Sequence, residues 1–483
     1  MKKLSALFLL LATFALFTPA QSASSQSMDV QASTQVSPAT QQFQAWLAAF
    51  NSGDRTTLQQ YLQKNRPSSL AHLDDELAFR QQTGGFEFKK IESSTPTSVT
   101  ALLKEHDSDQ FARLELEVEP EDPHRITKLG LQAISRPPEF AVPRLTQPAA
   151  IADFRTYLDQ AAAADHFSGT ALVAMNGLPI FAKAYGFADR GKEIPNQLST
   201  QFRIGSMNKM FTAVAIIQLV QAGKLKLTDP LIKFLPNYAN KELASKVTIH
   251  QMLTHTGGTG DIFGPDFESH RLELRTLNDY VKLYENRPVK FDPGSRWEYS
   301  NYGFILLGVV IEKATGQTYY DYVREHVFKP AGMLSTDSLP ESTTVAGRSI
   351  GYMKEKPDAS WSPNSDTLPY RGTSAGGGYS TVEDLLRFAN ALENNKLLDA
   401  DHTALLTSGK AVTPRGSKYA YGFMEIDESG LQCFGHGGGA PGMNGDLKIC
   451  PQSGYVIAVL ANLDPPAAER PANFIADRLP LNP

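Results

Sequence analysis

The chain has 483 residues, 41% of them hydrophobic and 20% charged, and a formal net charge of −5. That composition supplies ample core for a folded protein of more than one domain, and neither the charge nor any run of basic residues fits a nucleic-acid partner. Two cysteines, Cys433 and Cys450, are too few for a disulfide framework but suit a single bridge in an oxidising compartment. In chain order, Met1-Lys-Lys leads into an apolar run over residues 4–17 and then Thr18-Pro-Ala20. A basic head, a greasy segment and a small-residue end form the pattern of a secretory signal peptide, with cleavage expected after Ala20 or Ala23. The run is shorter than the roughly 20 apolar residues that a bilayer span needs. Residues 1–20 are therefore expected to direct export to a periplasm or to the medium without stable membrane insertion. Residues 21–40, mainly Ser, Gln, Ala and Thr, read as a flexible linker.

Residues 41–135 open with Gln42-Phe-Gln-Ala-Trp-Leu-Ala-Ala-Phe50, whose apolar positions recur at helical spacing, and Asn51-Ser-Gly-Asp54 reads as a stop followed by a new N-cap. Further helix is expected over 58–62 and 70–79, ending at Gly84-Gly85. Four strand-like runs follow, at 86–91, 98–104, 111–118 and 126–134. In the third, Leu114, Leu116 and Val118 alternate with Glu115, Glu117 and Glu119, the period of a half-exposed strand. Helices followed by strands predict a small α+β domain with an antiparallel sheet. This order and the Trp46…Phe50-Asn-Ser-Gly-Asp54 opening resemble the NTF2-like family. No catalytic constellation falls within it, so an accessory or packing role is expected. The Pro-rich stretch 136–148 reads as an extended linker to a second domain over 149–483.

That second domain starts with helical pattern through Phe154, Tyr157 and Leu158, then strands at 169–175 and 179–185 joined by the hairpin signal Asn176-Gly177. Strand runs at 431–435, 446–450 and 455–460, and a last helix over 468–479, predict one sheet closed by the two ends of the domain. A helical region over 211–392 is then inserted between them. Within Phe202-Arg-Ile-Gly-Ser-Met-Asn-Lys209 and the eleven residues after it, almost everything beyond Lys209 is apolar or small, so the helix there should be buried on all sides. Ser206 and Lys209 are three apart in its first turn, which stacks them on one face. A hydroxyl beside an amine at a helix N-terminus is a nucleophile beside a base, where free backbone N–H groups favour developing negative charge.

Ser206-Met-Asn-Lys209 is the only Ser-x-x-Lys in the chain. Tyr299-Ser-Asn301 and His436-Gly-Gly438 follow it in order, and the three together resemble the penicillin-binding-protein and class C β-lactamase superfamily of active-site serine hydrolases. His250-Gln-Met-Leu-Thr-His-Thr-Gly-Gly258, Phe291-Asp-Pro-Gly294 and the segment from Gly376 to Leu385 are similar to stretches of that superfamily as well. The resemblance covers roughly 150–475. It implies an α+β fold, a β-lactamase-like antiparallel sheet flanked by helices with a helical insertion. A second Tyr-x-Asn, Tyr238-Ala-Asn240, sits in a Pro-marked loop, whereas Tyr299 precedes an apolar helix able to fix it; Tyr299 and Asn301 are preferred. For His250 and His255, structural hydrogen bonds are expected.

The resemblance assigns Ser206 as the nucleophile of an acyl-enzyme, Lys209 or Tyr299 as its base, and Asn301 as a partner of Lys209 and of the substrate. The backbone N–H groups of Ser206 and Gly439 are the implied oxyanion hole, and Gly437 and Gly438 lie on a strand a substrate can approach. No metal-binding spacing occurs and no cofactor is required. Many members carry Lys-Thr-Gly or Lys-Ser-Gly where this chain has His436-Gly-Gly438. A histidine, charged only part of the time near neutral pH, should attract a substrate carboxylate less. An ester or D-amino-acid amide is thus the expected small-molecule or peptide substrate. A β-lactamase or D-alanyl-D-alanine carboxypeptidase is the alternative, and a penicillin-binding or cell-wall-sensing protein that does not turn over is the non-enzyme reading. Loops 261–271 and 352–370 should wall the pocket. A hairpin turning between Pro441 and Gly442 would set Cys433 opposite Cys450, close enough for a bridge.

Overall fold

The computed structural model describes residues 36–134, 136–355, 359–414 and 416–482. The expected signal peptide and most of the 21–40 linker lie outside the described residues. Helix α1 (Pro38–Ser52) opens on Ser37, whose side chain accepts from Thr40 N, and closes where Gly53 turns left-handed at φ 65°. Helix α2 (Arg55–Asn65) restarts on Asp54, which accepts from Thr57 N at 2.7 Å. Pro67 begins a 3₁₀ turn, so α3 (Leu73–Thr83) starts three residues later than the sequence pattern suggests. Strands β1 (Phe86–Ser94), β2 (Ser98–Glu105), β3 (Phe111–Val118) and β4 (Ile126–Ile134) form an antiparallel sheet in that order. Leu114, Leu116 and Val118 point inward with Phe43, Trp46 and Phe50 of α1, and Glu115 and Glu117 face water.

The larger part contains α4 (Gln147–Ala163), β5 (Gly169–Met175), β6 (Leu178–Tyr185), β7 (Phe202–Gly205), α5 (Asn208–Gln221) and α6 (Asn301–Thr315). After these come β8 (Gly378–Ser380), α7 (Val382–Glu393), β9 (Ala411–Val412), β10 (Lys418–Tyr419), β11 (Met424–Glu428), β12 (Leu431–Ala440), β13 (Met443–Cys450), β14 (Tyr455–Ala461) and α8 (Glu469–Ala476). Eight of the strands form one antiparallel sheet in the order β9-β10-β11-β12-β13-β14-β5-β6, so the two ends of the domain meet where β14 pairs with β5.

Alternation along those two strands layers the molecule. Leu172, Ala174, Val456, Ala458 and Leu460 face a core shared with α5, α6 and α7. Ala171, Val173, Ile457 and Val459 face a second core with Phe154 and Leu158 of α4 and Ile475 of α8. Helix α5 is buried without interruption from Asn208 to Ile217.

Strand β12 runs on through its glycines to Ala440 instead of ending near 435, because β13 pairs with them residue by residue, Gly437 with Asp446 through Ala440 with Met443. The turn between the two strands is Pro441-Gly442. The next cross-strand position beyond the Phe434 and Ile449 pair is a disulfide, Cys433–Cys450, with S–S 2.00 Å. The smaller sheet docks on α8, on the face of the large sheet opposite α5. There Arg136 meets Asp477 at 2.5 Å, Arg478 meets Asp109 at 2.9 Å and Arg470 meets Glu105 at 2.8 Å. Among the described residues no helix is long and apolar enough to cross a membrane.

Candidate active site

Ser206 sits in the turn between β7 and α5, not in the helix itself, and Lys209 is the second residue of α5. The turn is tight, with Lys209 N donating to Ser206 O at 3.0 Å, and it still brings the two side chains together. Lys209 Nζ lies 3.3 Å from Ser206 Oγ and donates to Asn301 Oδ1 at 2.7 Å and to the Ala375 carbonyl at 2.6 Å. Lys209 is wholly buried, and desolvation pulls its pKa from the ordinary 10.5 down to about 7, against the opposing pull of the Asp261 charge. An amine with two N–H groups committed to fixed carbonyl acceptors and its third position facing a hydroxyl is arranged to accept that hydroxyl's proton.

Tyr299 presents its hydroxyl to Ser206, and burial raises its pKa far above the phenolic range, so it stays a neutral hydroxyl. Its ring lies under the Lys209 amine, 4.7 Å from Nζ to the centroid. His255 brackets it from both sides: the Glu298 N–H donates to the His255 carbonyl at 2.9 Å and the Ser300 N–H to His255 Nδ1 at 3.1 Å, with the imidazole 4.3 Å from the Tyr299 ring. Asn301 opens α6. Asp261 takes its backbone N–H at 3.1 Å and its Nδ2 at 3.3 Å. The Asn301 carboxamide, expected to meet both Lys209 and substrate, thus has its nitrogen already serving Asp261. The other candidates stand apart from Lys209: the Tyr238 hydroxyl bonds that of Tyr302 at 2.9 Å, Asn240 caps a short helix, and His250 Nδ1 meets the Tyr421 hydroxyl at 2.8 Å.

Beyond Gly435, β11 no longer pairs with β12, and the free edge lies against the Ser206 turn. A Cβ on Gly438 would meet the Ile204 carbonyl at 2.0 Å and Ser206 N at 3.0 Å; one on Gly205 would meet Gly439 N at 2.8 Å. The amides of Ser206 and Gly439 therefore border one small space, and only glycine fits at 438. At Gly437 the nearest contact of such an atom is 3.3 Å.

His436 corrects an expectation. Its Nδ1 donates to the Gly437 carbonyl, so Nε2 accepts from the Tyr419 hydroxyl at 3.0 Å. Burial, aided by the nearby Lys209 charge, pushes its pKa down to about 4. The imidazole is neutral throughout the neutral range and not partly charged. His436→Lys is accordingly expected to raise kcat/KM for a carboxylate-bearing cephalosporin relative to an uncharged ester by about tenfold, the worth of about one charge-assisted hydrogen bond. An unchanged ratio would show that the strand does not meet a carboxylate.

The wall loops touch where Arg271 donates to the Leu368 carbonyl at 3.2 Å, and Asn364 Nδ2 ties the second of them to the β12–β13 turn, donating to the Pro441 carbonyl at 2.7 Å. Residues 356–358 of the second loop lie outside the described residues. Sequence reasoning missed three contributors: Asp261, Tyr419 and the Ala375 carbonyl. A buried lysine calls for a carboxylate nearby but does not say which one; a backbone carbonyl leaves no signal. Among the described residues no cluster of three His, Cys, Asp or Glu side chains is suited to a metal ion.

Comparison with known proteins identifies the family of the larger domain. The beta-lactamase family model matches residues 154–481, which leaves the smaller sheet domain outside the match. Penicillin-binding protein 4 of Amycolatopsis lactamdurans is 28% identical over 315 residues, 62% of this chain and 81% of that one. The crystal structure of a penicillin binding protein from Bacillus halodurans is 36% identical and covers 66% of this chain and 98% of its own, with a TM-score of 0.59. That of a D-stereospecific amidohydrolase from Streptomyces sp. is 29% identical and covers 67% and 97%, with a TM-score of 0.58.

Proposed function

We propose, from the premise that this chain belongs to the beta-lactamase family of serine hydrolases, that it cleaves an ester or a D-amino-acid-containing amide through an acyl-enzyme on Ser206. The observation that carries this reading is the Lys209 amine, with two N–H groups held by Asn301 and Ala375 and its third position 3.3 Å from Ser206 Oγ. Oγ bonds to the substrate carbonyl carbon as its proton passes to Nζ. The oxyanion faces the amides of Ser206 and Gly439. As the bond from the carbonyl carbon to the leaving group breaks, the Tyr299 hydroxyl gives its proton to the departing alcohol or amine and takes one from Lys209, which completes the acyl-enzyme. Water then attacks the acyl carbon, its proton returns by the same route, and the acid leaves with Ser206 restored.

A neutral His436 beside the substrate strand offers no charge to a carboxylate, which favours esters and amides over β-lactams or peptides ending in a free carboxylate. The description of the Streptomyces relative as a D-stereospecific amidohydrolase supports the amide branch. The penicillin-binding names of other relatives support a second reading, β-lactam or D-alanyl-D-alanine cleavage. The Cys433–Cys450 bridge and the signal-like start support export to a periplasm or the medium.

The test compares turnover of a short-chain nitrophenyl ester, a D-amino-acid amide and a chromogenic cephalosporin, with intact mass followed during each reaction. Turnover of the first or second well above the third supports the proposal. Dominant cephalosporin turnover promotes the second reading, and a stable adduct without product release means a binding protein.

A further inference from the structure

Residues 255–261 read the Tyr299-Ser300-Asn301 tripeptide position by position. His255 takes the N–H groups on either side of Tyr299, and Thr259 Oγ1 and the Gly260 carbonyl hold the Ser300 hydroxyl. Asp261 holds Asn301, through Oδ1 to its backbone N–H and Oδ2 to its Nδ2. Oδ1 also accepts from Ile262 N at 2.7 Å, which fixes the carboxylate's own position. A carboxylate only accepts, so the end of the Asn301 carboxamide that faces Asp261 must donate. The Asn301 carboxamide therefore has one usable orientation, nitrogen toward Asp261 and oxygen toward Lys209.

The charges around Lys209 are lopsided. From its own turn it faces Ser206; from the segment before α6, Tyr299; from the preceding loop, His255 and Asp261; from β12, His436; from α6, the Phe304 ring and Asn301. Tyr299 and both histidines are held neutral by burial. Among the described residues, the formal negative charge acting on the amine is that of Asp261.

We infer that Asp261 is a positioning residue of this site, which aims the Asn301 oxygen at Lys209 and sets one negative charge where it steadies the amine that takes the Ser206 proton. It acts through Asn301 and Lys209. This rests on the serine-hydrolase reading above.

The experiment follows addition of a small alkyl fluorophosphonate to Ser206 by intact mass, from about pH 5 to pH 9, in the wild type, Asp261→Asn and Asp261→Ser. Serine keeps an acceptor without charge or bulk, so agreement between the variants separates charge from shape. Without the negative charge the ammonium form is harder to hold, so the acid limb of the rate profile should move to lower pH by about one unit in both variants. The plateau should fall about tenfold as Asn301 loses its alignment and Lys209 is held less well against Ser206. A limb at the wild-type position in a variant that melts like the wild type overturns the inference and leaves the hydrolase reading standing. Loss of a cooperative melt in both variants also overturns it, since Asp261 would then serve folding. No adduct on the wild type at any pH overturns both readings.

Discussion

Ser206→Ala and Lys209→Met are each expected to lower kcat for the ester by about 10⁴-fold or more, and the double variant to be no slower than the worse single one. The two side chains perform one step between them. Without the hydroxyl, the amine has nothing to activate; without the amine, the hydroxyl keeps its proton, because Tyr299, which reaches it, is held as a neutral phenol by burial. Lys209→Arg should be as inactive as Lys209→Met, since a guanidinium keeps its charge at any working pH. Initial rates with the double-mutant cycle decide this, and additive losses would show two independent roles.

The methionine variant carries a second signature. In the folded protein the Lys209 pKa is about 7 against an ordinary 10.5. Between those values the unfolded chain holds a proton that the folded one lacks, so wild-type stability falls as pH drops through that window and levels off below it. Lys209→Met lacks this loss. Its melting temperature relative to wild type should therefore be higher at pH 7 than at pH 10.5, while activity is gone. An equal difference at both would mean the lysine is not desolvated as described.

Gly438→Ala is expected to reduce kcat/KM by about 10²-fold or more, the cost of displacing reacting groups by about 1 Å. The new Cβ would lie 2.0 Å from the Ile204 carbonyl and 3.0 Å from Ser206 N, both rigid backbone. The strand and the nucleophile turn must separate, which pulls the Gly439 amide away from the Ser206 amide. Gly437→Ala, whose nearest contact is a side-chain oxygen at 3.3 Å, should stay within a few-fold of wild type by the same reasoning. Affinity for a boronic acid that mimics the tetrahedral intermediate should fall in parallel with kcat/KM at 438. A loss in rate alone would place the damage elsewhere.

What was legible in the sequence follows how local each cause is. The buried α5 helix, the Asn51-to-Asp54 stop and restart, the Pro441-Gly442 turn and the alternation of β3 each arise from a few neighbouring residues, and pattern reading found them. The β12 strand was read too short because glycine weakens strand propensity; its continuation comes from pairing with β13. Ser206 was placed in the helix and lies just before it, a shift of the size that helix boundaries carry. Asp261 and Tyr419 left no periodic trace, since each reaches the site by a tertiary contact from a separate loop or strand. The charge state of His436 was misjudged because burial depends on what covers a side chain, which spacing does not record.

The β14 pairing with β5 has a consequence for biosynthesis. Strand β5 emerges from the ribosome nearly three hundred residues before its neighbour, so the middle of the sheet stays open until residues 455–461 have been made. Until then the core around α5 lacks the residues β14 brings to it, Val456, Ala458 and Leu460, and that apolar surface is available to chaperones and to aggregation. A premature stop between Tyr299 and β14 would leave a chain holding Ser206, Lys209 and Tyr299 with no closed sheet to assemble them. Such truncations should be degraded products, never slow enzymes.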